Sequence, residues 1–132
     1  FYLYRDPLPA IALTTNSSCL TAIGNDFDYR EVFSRQLRGL VKEGDVAVGI
    51  STSGESPNVI AAIEEAKRCK AVTIAFVGSG GKLSELAEYV LSVPSTDTPR
   101  IQEIHILTAH IVCYLAENAL FGNNLTSEFT AQ

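Results

Sequence analysis

At 132 residues, 46% apolar and 19% charged, the chain is long enough for one globular domain with a real core, and its composition excludes a disordered protein. Ten basic against fifteen acidic residues give a net charge of −5 with no run of like charges, which excludes general nucleic-acid binding through a basic stripe. Cys19, Cys69 and Cys113 are odd in number and none falls in a C-x-x-C spacing, so neither a disulfide framework nor a cysteine zinc site is expected. Reduced thiols, and no unbroken apolar run near the roughly 20 residues of a membrane span, lead to the expectation of a cytoplasmic protein.

The chain opens at Phe1-Tyr2-Leu3-Tyr4 without Met, and the expectation is that it starts inside a longer protein. Pro7-Leu8-Pro9 leads into a short apolar strand over Ala10-Ile11-Ala12-Leu13, and Cys19 to Ile23 reads as a single helical turn. Gly24-Asn25-Asp26 reads as a turn whose Asp26 caps a helix from Tyr29 to Leu40, with Val32, Phe33, Leu37 and Leu40 at helical spacing. Val46 to Ile50 is a near-continuous apolar run, as in a parallel strand buried on both faces.

A serine-rich loop comes next, then Pro57 and a helix with Val59, Ile60, Ala62, Ile63 and Ala66 on its apolar stripe. Ala71 to Val77 is the next strand, Gly78-Ser79-Gly80-Gly81-Lys82 a plain turn, Leu83 to Ala87 a short helix, and Tyr89 to Val93 a strand stopped by Pro94. Arg100 to Asn118 is the longest helix, so widely apolar that it is either central or buried against another chain; residues 123–132 form a polar tail. Alternating strands and helices predict an α/β fold with a parallel sheet, whose ligands bind beyond the carboxyl ends of the strands.

Ser51-Thr52-Ser53-Gly54-Glu55-Ser56 lies at such an end and supplies four hydroxyls within six residues. At a helix N-terminus this loop suits a phosphate, and without a lysine it fits a sugar phosphate monoester better than a nucleotide triphosphate. An ordinary turn whose serines cap the helix is the other reading. Asn25 and Asp26 suit sugar hydroxyls or a helix cap. His105 and His110 sit on the last helix, as core or interface residues or as catalysts. Gln102 and His110 are eight residues apart, about 12 Å of rise and about 80° of rotation on an ideal helix.

Gly24-Asn25-Asp26, Glu43-Gly44-Asp45, Gly49-Ile50-Ser51-Thr52-Ser53-Gly54 and Arg100-Ile101-Gln102-Glu103-Ile104-His105-Ile106 together resemble the phosphoheptose isomerase family of the sugar-isomerase (SIS) domain superfamily. The resemblance covers Pro9 to Leu120. It implies a SIS domain over residues 1–122, a three-layer αβα sandwich around a parallel, flavodoxin-like sheet, and a homotetramer with active sites between subunits. The implied reaction converts D-sedoheptulose 7-phosphate to D-glycero-D-manno-heptose 7-phosphate, toward lipopolysaccharide and other activated-heptose products. Ser51, Thr52, Ser53 and Ser56 then bind the phosphate, and Asn25, Asp26 and Gln102 contact substrate. Gln102 and His110 bind a divalent metal, usually zinc, and His110 is the acid/base. The family's N-terminal helices, its first strand with a G-N-G-G-S loop, and a following helix with a metal-site His and a catalytic Glu have no counterpart here. The alternative within the superfamily is a non-catalytic, protein-binding factor of the DnaA initiator-associating type, which His110 and the serine-rich loop disfavour.

Overall fold

A computed structural model describes residues 2–122, and the polar tail expected over 123–132 lies outside the described residues. The elements are α1 (Ser17–Asp26), a 3-10 turn (Tyr29–Glu31), α2 (Ser34–Leu40), β1 (Val46–Ser51), α3 (Pro57–Arg68), β2 (Val72–Val77), α4 (Lys82–Leu86), β3 (Tyr89–Ser92) and α5 (Thr98–Phe121). The chain divides into a larger unit, residues 11–102, and a smaller one in which residues 2–10 join residues 103–122.

In the larger unit the three strands are parallel, in the order β1-β2-β3. The register pairs Ser51 with Val77 and Val77 with Ser92, so the three strands end in one row and their loops leave on the same side. α3 packs over this sheet because Pro57 presets its first turn and Ile60, Ala62, Ile63 and Ala66 recur on one buried face. Gly49 lets the helix come close. A Cβ there would meet Val59 Cγ1 at 2.9 Å and Ile63 Cγ1 at 3.1 Å. Ala47, Ala75, Val77 and Leu83 complete the core around Ile63.

Several sequence expectations change. Ala10–Leu13 forms no strand, and Ile11 is exposed. A strand needs a ladder partner, and the sheet of the described residues contains none for this segment; the Leu13 carbonyl instead accepts a bond from Gln36 Nε2 at 3.1 Å. α1 is ten residues long, not one turn, because Asn16 Oδ1 accepts from Cys19 N at 3.0 Å and caps it. Asn25 and Asp26 therefore fall in the last turn of α1. Asp28, not Asp26, caps the next element, accepting from Arg30 N, and the predicted helix from Tyr29 is broken into the 3-10 turn and α2. β1 is not buried on both faces: Ala47, Gly49 and Ser51 point inward while Val46, Val48 and Ile50 are exposed.

In the smaller unit, Glu117 is buried in α5 and accepts from Tyr2 N at 2.6 Å and Arg5 Nε at 3.0 Å. The Tyr2 ring stands edge-on to Tyr114, and the Arg5 guanidinium lies over Phe121, 5.1 Å from its centroid. By length and composition alone α5 is long and apolar enough to cross a membrane. No unbroken apolar run announced this, since Gln102, Glu103, His105 and His110 interrupt the helix. Only 11% of its most apolar window is buried among the described residues, and Ile106, Leu107, Leu115 and Leu120 are all exposed.

A buried carboxylate ties α2 to α3. Glu65 accepts from Arg68 within α3 and from Arg38 Nε of α2 at 3.3 Å. Its pKa is lowered, first by the bond from Arg68 and against the cost of its own burial. A carboxyl whose folded pKa lies below its unfolded one adds stability above the unfolded value, and that stability disappears as the pH falls through the folded value. Glu65→Gln is expected to lower stability at pH 7 by about 1–2 kcal/mol, the two arginines being half-exposed. In urea unfolding, the gap from the parent chain should close below about pH 4.

Candidate functional site

The row of strand ends makes the site. Ser51, the last residue of β1, is buried; its Oγ lies 2.8 Å from Ser56 Oγ and 3.4 Å from Ser53 Oγ. The loop is folded back by a turn in which Gly54 N donates to the Ser51 carbonyl at 3.0 Å, and Glu55 N donates to Ser53 Oγ at 3.2 Å. Three hydroxyls thus converge where α3 begins. Ser56 occupies the N-cap position of α3, yet its side chain makes no capping bond. It turns to Ser51 instead. The capping alternative is therefore not what Ser56 does, and the observed arrangement is a hydroxyl cluster at the positive end of a helix.

The loop after β2 is more than the plain turn expected from its sequence. Gly78 N donates to the Thr52 carbonyl at 3.0 Å, and Leu83 N to the Gly54 carbonyl at 2.9 Å. Lys82 N donates to Glu55 Oε1 at 2.7 Å. Gly54 has φ +69° and Gly81 φ +101°, and the two backbones touch: a Cβ on Gly54 would sit 2.0 Å from the Gly80 carbonyl oxygen, and one on Gly81 2.6 Å from that of Ser53. Only glycine fits such an approach.

Between these loops and the segment after β3 lies a cleft of about 400 Å³. Thr52 and Ser53 line one side, Ser79 to Gly81 a second, and Ser95, Thr96 and Thr98 a third, with Ile101 beneath. Ser79 Oγ donates to the Ser95 carbonyl at 2.8 Å, and Ser92 Oγ to that of Gly78 at 2.8 Å, joining the second and third walls. Sequence reading missed Ser79, Ser95, Thr96 and Thr98. The signal was present, because Ser79, Ser95 and Thr96 come just after the ends of parallel strands, as the serine-rich loop does, and Thr98 opens the helix that follows. A second hollow of about 430 Å³ lies near the start of β2, but its Lys67 and Lys70 amines are bonded to the Leu86 carbonyl and to Glu43, and no hydroxyls converge there.

Of the predicted residues in the larger unit, Thr52 and Ser53 line the cleft, whereas Ser51, Ser56, Asn25, Asp26 and Gln102 are not among its walls. Asn25 and Asp26 are exposed at the end of α1, with Asn25 Nδ2 donating to Asp26 Oδ1 at 2.7 Å, and neither lines the cleft. Gln102, exposed on α5, is next to Ile101 but is not a wall residue. His110 is exposed on α5 in the smaller unit, whereas His105 is buried. Among the described residues no group of three or more His, Cys, Asp or Glu could hold a metal ion.

A parallel sheet whose first loop gathers serine hydroxyls at a helix N-terminus defines a class, and the family comparison agrees: the SIS domain model matches residues 1–78, and the chain belongs to that family. Within it the chain is similar to phosphoheptose isomerases, as its motifs indicated. It is 53% identical over 123 residues to the phosphoheptose isomerase of Burkholderia pseudomallei (strain K96243), covering 92% of this chain and 62% of that protein. It is 55% identical over 122 residues to that of Maridesulfovibrio salexigens, covering 92% and 60%. The solved phosphoheptose isomerase from Francisella tularensis matches with a TM-score of 0.80 at 41% identity, over 83% of this chain and 59% of that one. The Neisseria gonorrhoeae structure matches with a TM-score of 0.78 at 49% identity, over 80% and 60%. The chain thus spans less than two thirds of the length of these relatives.

Gly54→Ala is expected to cost at least about 1–2 kcal/mol in chemical denaturation, from left-handed backbone alone, before the contact with Gly80 is counted. Gly39→Ala meets nothing within 4 Å and serves as the control, with stability kept or raised by up to about 1 kcal/mol.

Proposed function

We propose that the protein is a sugar-phosphate isomerase acting on D-sedoheptulose 7-phosphate to give D-glycero-D-manno-heptose 7-phosphate, and that this chain supplies its phosphate-binding part. The observation that carries the reading is the Ser51–Ser53–Ser56 hydroxyl cluster at the start of α3, with Ser56 turned from capping to the cluster. Hydroxyls and a helix N-terminus bind a phosphate monoester without needing a cation in the loop. The names of the relatives support the substrate, and they do not favour a non-catalytic SIS factor of the DnaA initiator-associating type.

The reaction moves a proton from C1 of the ketose to C2 while a hydroxyl proton passes between the two oxygens, through an enediol. His110 is assigned as the acid/base, since an imidazole can both take and give a proton. Asn25, Asp26 and Gln102 are assigned to the sugar and its carbonyl. Holding the distant phosphate at Ser51, Thr52, Ser53 and Ser56 would spend binding energy on orienting the reacting carbons.

A divalent metal, with zinc the expectation, would polarise the carbonyl. Gln102 and His110 give one oxygen and one nitrogen donor, short of the four ligands that zinc takes, so these residues do not make a metal site by themselves. A homotetramer in the cytoplasm belongs to the same proposal, and the exposed apolar residues of α5 support self-association.

Titration of the chain with inorganic phosphate and with sedoheptulose 7-phosphate tests the loop. Ser51→Ala is expected to weaken both about tenfold, one hydrogen bond to a charged group being lost; no binding by the parent chain would remove the phosphate assignment. In the full-length natural protein, His110→Ala should abolish turnover and leave phosphate binding intact, whereas near-normal turnover would take His110 out of the mechanism.

A further inference from the structure

The phosphate loop contains a carboxylate, and its placement is informative. Glu55 lies between Gly54 and Ser56, where a negative charge next to a bound dianion would oppose binding. Its side chain reaches away to α4, 27 residues on, and Oε1 accepts from Lys82 N at 2.7 Å. That bond is one of several crossing the same gap. Gly78 N to the Thr52 carbonyl and Leu83 N to the Gly54 carbonyl are backbone bonds, and the Gly54–Gly80 and Gly81–Ser53 approaches exclude any Cβ. Of the bonds named here, only that of Glu55 comes from a side chain.

We propose that the Gly78–Lys82 loop is a brace that sets the shape of the phosphate loop, with Glu55 the positioning residue that latches the two together. The proposal rests on the phosphate reading of the serine cluster and adds to it the element that holds Ser53 and Ser56 in place. Glu55 touches no substrate in this scheme. It acts through the turn on either side of it, whose Gly54 N–H and Ser53 hydroxyl are already engaged in fixing the loop.

The sign of one substitution separates this from simple electrostatics. Glu55→Ala removes a negative charge beside an anion site, which by Coulomb attraction alone tightens phosphate binding. If the latch matters, the same change weakens it. Glu55→Gln keeps an acceptor for Lys82 N and drops the charge, so it should bind phosphate at least as well as the parent.

The experiment is a titration of the folded chain and its variants with inorganic phosphate, together with amide hydrogen exchange at Gly78 and Leu83. Expected are a loss of about tenfold in affinity for Glu55→Ala, the scale of one charge-assisted hydrogen bond, and rescue by Glu55→Gln. The Gly78 and Leu83 amides should exchange about tenfold faster in the alanine variant and return to parent rates in the glutamine one. Gly81→Ala, which drives a Cβ into the Ser53 carbonyl, should act as Glu55→Ala does. Phosphate binding by Glu55→Ala equal to or tighter than the parent overturns the proposal, as do unchanged exchange rates. If the parent itself ignores phosphate, the phosphate reading fails, and the exchange rates still decide whether the brace exists.

Discussion

Parallel pairing of β1 with β2 is the constraint on which the site depends. Because Ser51 pairs with Val77, and Val77 with Ser92, three loops that are distant in sequence leave the sheet side by side. An antiparallel neighbour would have sent one of them to the opposite end. The pairing in turn needs α3 close against β1, which the missing side chain of Gly49 allows. A residue with no chemistry of its own therefore fixes where Ser51, Thr52 and Ser53 emerge. The helix that Gly49 admits is the same one whose N-terminus faces the hydroxyls.

Elements with a strong local period were legible from the residues. β2, α3, α4 and β3 lie within about a residue or two of their expected spans, since each carries its own pattern and its own stop. The errors arose where a partner distant in sequence decides. Ala10–Leu13 has strand composition but no neighbour to pair with among the described residues. α1 extends beyond a single turn because Asn16 caps it, and Asn25 and Asp26 therefore stand at a helix end instead of in a turn. Val46, Val48 and Ile50 read as buried because composition does not say which faces of a sheet are covered.

For the site, the serine-rich loop was visible as a motif, but its partner loop was not. Gly78–Lys82 matches no nucleotide signature and its local sequence predicts only a turn, whereas its glycines touch another backbone. Such a contact has no local pattern, because the residues involved are Gly54 with Gly80 and Gly81 with Ser53. The hydroxyl cluster shows the same limit. Sequence could place Ser56 at the start of a helix, but only geometry shows that its hydroxyl goes to Ser51 and not to the helix backbone.

The bare outer row of β1 carries a practical meaning. Val46, Val48 and Ile50 stand in a line on an end strand of the sheet formed by the described residues, with no charged residue between them on that side. Natural proteins seldom leave a contiguous apolar row in water, because it associates with whatever apolar surface meets it first. This polypeptide, handled by itself, is then a sticky object. Its tendency to associate is raised by three aliphatic side chains that take no part in chemistry, beside the exposed apolar residues of α5.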